Sequence, residues 1–368
     1  MTTIPSLFQP FSLRGLQLRN RIVLPPMCQY QAIGRDGMVT DWHLQHYGAR
    51  AAGGFGLIVA EASAICPEGR ISPQCAGMWT DEQAQAWRRI VDCVHSQGSA
   101  MGIQLIHAGR KASTFPMLPG FHPGSVPIAD GGWETSAPSP VAFPKLRTPY
   151  AMTREEIQQI PVLFAQAAAR SVAAGFDLVQ IHAAHGYLLH QFLSPLSNQR
   201  DDDYGGSFAN RTRLVHEVVD AVREAVGPDY PVSVRLSATD WFDDDSSVDA
   251  WSLADSVQLC QDLAARGVDL IDVSSGGVAP APILTGPGYQ VPFAAAIKKH
   301  VSVPVAAVGQ LGDSALAQQV LDEGKADLIN VGRAALFDAA WPVRAAHALG
   351  LDRSDWPVAP SYHRGEWR

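Results

Sequence analysis

The sequence predicts an α/β protein, a (β/α)8 TIM barrel with a long capping insertion after its third strand. Three observations lead there. Eight short apolar runs recur along the 368 residues, most of them followed by a helical pattern. The last two runs end in Gly309 and in the pair Gly332–Arg333, where barrels of this kind cradle phosphate. One connection, residues 111–152, is far longer than a plain strand-to-helix loop. A doubly wound open sheet is the competing architecture, but eight strand–helix units in one chain favour closure.

The runs, in order, are RIVLPPM (21–27), GLIVAEAS (56–63), MGIQLIHAG (101–109), LVQIHAAHG (178–186), PVSVRLSA (231–238), LIDVSSGG (270–277), PVAAVGQL (304–311) and LINVGRAAL (328–336). Near-continuous apolar strands suit a parallel sheet buried on both faces. Between them, TDEQAQAWRRIVDCVHSQG reads as a helix with Thr80 at its N-cap and Gly98 at its stop. The segment from Thr153 to Gly175 opens with a threonine followed three residues later by Glu156, a capping box. The insertion carries eight prolines and Gly120, Gly124, Gly131 and Gly132. Phe115, Phe121, Trp133 and Phe143 give it apolar anchors, so the sequence predicts an ordered lid over the barrel mouth.

Composition narrows the function. The chain is 46% hydrophobic and 17% charged, with 28 basic against 36 acidic residues and a net charge of −8. That balance argues against a nucleic-acid partner, which needs a basic face. No apolar run reaches the ~18 residues needed to span a bilayer, and MTTIPSLFQP lacks a signal-peptide pattern. Five scattered cysteines with no C-x-x-C argue against a disulfide framework or an iron–sulfur cluster, and for a reducing cytoplasm.

Reactive groups in such a barrel gather where strands end. Pro25, Pro26, Met27 and Cys28 end the first run, with Tyr30 just beyond, and Ala62 ends the second. Gln104 lies in the third, and Arg235 in the fifth. The fourth ends in QIHAAHGYLL, with His182, His185 and Tyr187. A histidine pair invites a metal, but H-x-x-H at a strand end with no carboxylate inside is not a zinc helix motif. Imidazoles can instead donate N–H bonds to a substrate oxygen, and a nearby phenol can donate a proton. Glycine ends strands simply to turn the chain, yet Arg333 beside Gly332 adds a charge-assisted clamp that favours a phosphate. Arg235 in mid-strand needs an anion: either a core carboxylate or the N1–C2=O edge of a reduced flavin. Gln104 offers donors and an acceptor to a flavin pyrimidine ring. Cys28 is either an inert small hydrophobe or a tuning group.

LRNRIVLPPMCQY, QLIHAGRKA, IHAAHGYLLHQFLSPLSNQRDDDYGGSFANR and INVGRAAL together resemble the old yellow enzymes, FMN-dependent ene-reductases. Within them the chain is most similar to the thermophilic-like branch of bacterial NADPH dehydrogenases and xenobiotic reductases. The fourth-strand block, H-A-A-H-G-Y-L followed by S-P-x-x-N-x-R, is the most specific part. The resemblance covers essentially residues 1–368, read as one FMN-binding barrel domain with the 111–152 insertion inside it. It implies that Pro25, Pro26, Met27 and Cys28 lie along the flavin, with Cys28 near its reactive edge. Cys28 itself assigns the branch, since the other main branch tends to have threonine there. Ala62 and Gln104 would contact the ring, Arg235 its N1–C2=O edge, and Gly309, Gly332 and Arg333 the FMN phosphate. His182 and His185 would bind the substrate carbonyl oxygen, Tyr187 would donate the proton, and Tyr30 would line the pocket. The ending SYHRGEWR is similar to the branch's Tyr-x-Arg-Gly-Trp tail, with Arg364 matching and Trp367 displaced by one inserted residue. That implies a tail (353–368) at the interface of a homodimer or homotetramer, with Arg364 entering a neighbouring active site.

The implied reaction is ping-pong. NADPH, or NADH, passes hydride to flavin N5. An α,β-unsaturated carbonyl compound, or a nitro compound, then takes it in the same pocket, with Tyr187 protonating the α-carbon. No G-x-G-x-x-G follows a strand, in keeping with one shared site rather than a separate dinucleotide domain. A flavin-binding redox sensor using Cys28 and a phosphate-binding isomerase without flavin are the other readings of the residues.

Overall fold

The computed structural model describes residues 4–245 and 247–365. Each apolar run contributes one barrel strand: β1 (Ile22–Leu24), β2 (Leu57–Ala64), β3 (Ala100–Ile106), β4 (Leu178–Ala183), β5 (Val232–Ser237), β6 (Leu270–Ser274), β7 (Val305–Ala307) and β8 (Leu328–Asn330). They pair in parallel in chain order, and β8 closes on β1 with Ile329 opposite Ile22. The ring is a closed barrel, so the open sheet is excluded.

Several strands are shorter than the runs that contain them. β1 stops at Leu24 because Pro25 and Pro26 have no N–H to give to a ladder. β8 stops at Asn330, and Gly332 then caps the short helix Arg333–Phe337.

Helices α1 (Asp41–Ala52), α2 (Asp81–Ser96), α3 (Arg154–Ala173), α4 (Leu188–Leu193) and α5 (Phe208–Val226) precede β5. After it come α6 (Leu253–Ala265), α7 (Val291–Lys298), α8 (Ser314–Asp322), α9 (Arg333–Phe337) and α10 (Trp341–Ala348). The predicted caps form. Thr80 Oγ1 accepts the Gln83 N–H at 3.3 Å while Gln83 Oε1 accepts the Thr80 N–H at 3.1 Å. Thr153 and Glu156 repeat the exchange at 3.2 and 2.8 Å. Such caps contribute about 1 kcal/mol each. Outside the barrel, the apolar faces of helices meet the sheet in one continuous core that includes the fully buried Trp87 and Phe164.

Inside the barrel, alternate residues of each strand point inward. The bottom layer is apolar: Val23, Leu57, Leu178, Leu270, Ala306 and Leu328 pack with Leu13 and Leu18 of an antiparallel hairpin that plugs the floor. One or two alternations further up, the inward positions turn polar, with Gln104, Gln180, Arg235, Asp272 and Asn330, all buried. His182 and Ser274 come next, towards the C-terminal mouth.

Residues 111–152 pack over that mouth. Ser136–Ala137 and Tyr150–Ala151 pair in parallel, the Trp133 Nε1–H donates to Glu68 O at 2.8 Å, and the Phe143 ring lies 4.4 Å from Lys111 Nζ. Arg200 donates to the Pro138 and Met152 carbonyls at 2.9 and 2.8 Å. Phe121 departs from the expectation. It touches Phe115 at 6.5 Å between centroids but is 47% exposed, so the anchoring falls to Phe115, Trp133 and Phe143. No helix among the described residues is long and apolar enough to cross a membrane.

Candidate active site

A cavity of about 560 Å³ opens at the C-terminal mouth between β1 and the ends of β5 to β8. Pro25, Pro26, Met27, Arg235, Gly309, Gly332 and Arg333 all line it, with Ser274, Tyr289, Gln290 and Asn330 completing much of the wall. Gly309 sits at φ +124°, and a Cβ there would fall 2.9 Å from the Gln290 N. Only glycine fits that turn, which leaves the backbone there without a side chain on a cavity wall that Arg333 shares.

At the end of β4, three side chains converge. The His182 and His185 rings are 5.1 Å apart and perpendicular, and the His182 and Tyr187 rings are 5.0 Å apart. Sequence spacing alone would not bring them together. His185 (φ +57°) takes a left-handed backbone. At Gly186 a Cβ would lie 2.1 Å from Gly277 O, so the chain turns there against the loop after β6. Tyr30 (φ +54°) is likewise left-handed; strain of this kind gathers at sites that must hold a set geometry.

Burial, reinforced by the Arg235 charge, holds both imidazoles well below their usual pKa, so they are neutral near pH 7. The Ala184 N–H donates to His182 Nδ1 at 3.3 Å, which places the His182 ring proton on Nε2. His185 Nε2 lies 2.7 Å from Ser274 Oγ, which also reaches Gln290 Oε1 at 3.3 Å. Burial raises the Tyr187 hydroxyl, so it stays protonated and can donate. Tyr30, Ala62 and Tyr187 form one apolar cluster with Cys28 against it.

Lys111 was not singled out by sequence. Its ammonium donates to His185 O and Gly277 O, both at 2.8 Å, and lies 5.3 Å from the Tyr187 ring centroid. Burial pushes it down to about 8. It ties the lid, through Phe143, to the β4 turn. A smaller space of about 160 Å³ lies between the lid and Tyr187, bordered by Lys111, Phe115, Met117 and Phe143.

Arg235 faces Asp272 across the β5–β6 register, with Nε 3.4 Å from Oδ2, and also lines the cavity. The carboxylate that a buried arginine needs is therefore Asp272, and the same arginine is part of the cavity wall. Gln104 Nε2 donates to Gln180 Oε1 at 2.7 Å, and Gln180 Nε2 to Asp272 Oδ2 at 3.1 Å. Cys28 is half-buried. Its thiol is raised well above the usual range by its contact with the Cys75 thiol and by burial. Next to it, the buried Glu61 accepts the Gln29 N–H at 2.9 Å and pins the loop after β1.

Asp272, Gln180, Glu61 and Lys111 are the residues that sequence reasoning passed over. The carboxylate inside LIDVSS carried the same warning as Arg235 in PVSVRLSA: a charge in an apolar strand needs a partner. Arg364 lies exposed on the turn Pro360–Arg364 and is not among the residues lining the cavity. Trp367 lies outside the described residues.

Residues 6–352 match the NADH:flavin oxidoreductase / NADH oxidase family. The chain is 44% identical over 363 residues to an NADPH dehydrogenase of Geobacillus thermodenitrificans, covering 98% of each chain. It is 42% identical over 360 residues to the NADPH dehydrogenase of Bacillus subtilis, again covering 98% of each. Among solved structures, morphinone reductase in complex with tetrahydroNAD superposes with a TM-score of 0.76 at 29% identity, covering 98% of this chain and 95% of that one.

The residues present fit a flavin mononucleotide. The cavity has a side-chain-free turn and an arginine at one end. Its wall also holds the Arg235 guanidinium, whose Nε makes no hydrogen bond and has the Asp272 carboxylate 3.4 Å away. A phosphate and the carbonyl edge of a flavin ring are the groups such ends accept. Sequence, fold and donor set agree: the chain belongs to the NADH:flavin oxidoreductase / NADH oxidase family, that of the old yellow enzymes, and is an FMN-dependent oxidoreductase that uses a nicotinamide as hydride donor.

Proposed function

We propose that this chain reduces the activated C=C bond of α,β-unsaturated carbonyl compounds, and nitro compounds as a second class, by a ping-pong cycle with NADPH as the preferred donor. The observation that carries the reading is the β4-end cluster: two neutral imidazoles and one protonated phenol within about one ring of each other. In this reading Pro25, Pro26, Met27, Ala62, Gln104 and Arg235 hold the flavin ring, and Gly309, Gly332 and Arg333 its phosphate. Bound there, FMN supplies the hydride chemistry, accepting hydride from the nicotinamide and giving it to the alkene β-carbon.

The protein's own groups do the rest. His182, with its proton on Nε2, donates to the substrate carbonyl oxygen. His185 does the same from Nδ1 once the Ser274 hydroxyl turns its one proton from Gln290 Oε1 to His185 Nε2. Donors set in place for a developing oxyanion contribute roughly 3 kcal/mol each. Tyr187 gives its phenolic proton to the α-carbon, and Tyr30 walls the pocket. The lid, fastened through Lys111 and Phe143, keeps water out and strengthens these bonds. Cys28, held as a thiol, acts as a neutral neighbour of the cofactor edge; a redox sensor would need thiolate character it lacks. Arg364 is assigned to the active site of a neighbouring subunit in a homo-oligomer.

The test is a visible spectrum of the purified protein, followed anaerobically through addition of NADPH and then 2-cyclohexenone. Flavin absorbance that bleaches with NADPH and returns with the enone is expected. Bleaching with no return would remove enone reduction while leaving the flavoenzyme standing. A colourless protein that takes up no FMN would restore the phosphate-binding isomerase.

A further inference from the structure

We infer that Asp272 is a positioning residue that sets the reduction potential of the bound cofactor by tempering the charge of Arg235. The inference rests on the reading above that the Arg235 guanidinium meets the N1–C2=O edge of the flavin.

Asp272 is 2% exposed in the middle of β6, a position where a carboxylate costs several kcal/mol unless it is paired and hydrogen-bonded. It is both. Its Oδ1 accepts from Asn330 Nδ2 at 2.8 Å, and its Oδ2 accepts from Gln180 Nε2 at 3.1 Å and lies 3.4 Å from Arg235 Nε. Burial raises the carboxyl above its usual range, and Arg235, Gln180 and Asn330 oppose that rise.

The pairing is unequal. The carboxylate has three partners, whereas Asp272 is the one ion-pair partner of Arg235 among the described residues. The guanidinium cannot shed its proton, and it forms part of the cavity wall. Whatever sits there meets a cation already partly compensated by Asp272. Adding two electrons to a flavin puts negative charge at the edge facing Arg235. A bare guanidinium would favour that reduced form strongly. The Asp272 charge, level with Arg235 on the neighbouring strand, opposes it, and in this buried position little solvent screens the opposition.

A second consequence follows from the same carboxylate. It can only accept, so it draws the Nε2 of Gln180 towards itself and leaves Oε1 to accept from Gln104. Gln104 is thereby left with its oxygen and one N–H for a ligand.

The test removes the charge, with the shape kept in Asp272→Asn and cut back in Asp272→Ser. In Asp272→Asn and Asp272→Ser holoenzyme, the ratio of affinities for reduced over oxidised FMN should rise about tenfold. For a two-electron couple that is ~30 mV more positive, read by anaerobic reduction beside an indicator dye. Should a variant purify without flavin, titrating the apoprotein with oxidised and with chemically reduced FMN gives the same ratio. Asp272→Glu, which keeps the charge, should stay within about twofold of the parent. An unchanged or lower ratio in Asp272→Asn overturns the inference. So does failure of both neutral variants to fold while Asp272→Glu folds, which would make the carboxylate a folding anchor. Arg235→Leu separates this from the reading beneath it: that variant should lower the ratio. If it does not, the placement of Arg235 at the cofactor edge has failed, whatever Asp272 does.

Discussion

The barrel interior is two materials stacked along one set of strands. At the floor, Leu57, Leu178, Leu270 and Leu328 meet Leu13 and Leu18 in a dry plug. Above it, Gln104, Gln180, Arg235, Asp272 and Asn330 fill the same inward-facing positions with hydrogen bonds and one ion pair. Leu178 and Gln180 are neighbours on one face of β4, as are Leu270 and Asp272 on β6. The lower layer gains from burial at roughly 25 cal/mol per Å² of apolar surface. The upper layer gains little, because each polar group must first leave water. Its return is a set of donors aimed at a ligand. A barrel can carry such a layer because the plug below and the helix-covered sheet around it hold the strands in register.

Four outcomes would break or sharpen that contrast. Tyr187→Phe should have the largest effect, lowering the enone-dependent reoxidation rate ~10²–10⁴-fold while reduction by NADPH stays near the parent rate; equal loss in both half-reactions would remove Tyr187 as proton donor. Leu178→Ala, in the plug, should cost about 2–5 kcal/mol in urea unfolding and leave the flavin spectrum of the folded protein unchanged. A spectral shift there would mean the two layers are mechanically coupled. Ser274→Ala removes the hydroxyl that sets the His185 tautomer. A loss of about 1 kcal/mol, roughly fivefold in enone kcat/KM, is expected, with FMN affinity unaltered. The smallest change concerns Lys111. As pH rises through about 8 its ammonium becomes an amine and loses the charge that strengthens its bonds to His185 O and Gly277 O. The enone KM should therefore climb severalfold between pH 7 and 9, and Lys111→Met should show a high, pH-independent KM. His182, His185 and Tyr187 do not change protonation over that range, so an inflection that survives in Lys111→Met would have another source.

Much of the upper layer could be read before any coordinates. Arg235 stood out as a charge in an apolar run, and His182, His185 and Tyr187 as a cluster at a strand end. Asp272 was open to the same argument and was missed because it looked like one more strand residue. Lys111 gave no local signal, since a lysine just past a strand is ordinarily solvated. Its burial comes from Phe143 and the β4 turn, which are remote in sequence.

The chain's own alternation of apolar and polar residues, with glycine and proline at the strand ends, determines the eight strands, their order and the side of the barrel on which the chemistry collects. Those are local matters, set by backbone conformation and by which residues can leave water. Tertiary structure alone decided the partnerships. Arg235 meets Asp272 and Gln104 meets Gln180 because parallel strands close in one register. His185 turns towards His182 because Gly186 lets the chain press against Gly277. No periodicity encodes the distance between residues on different strands; that distance is set when the ring of eight shuts and every buried polar group has to find a partner within it.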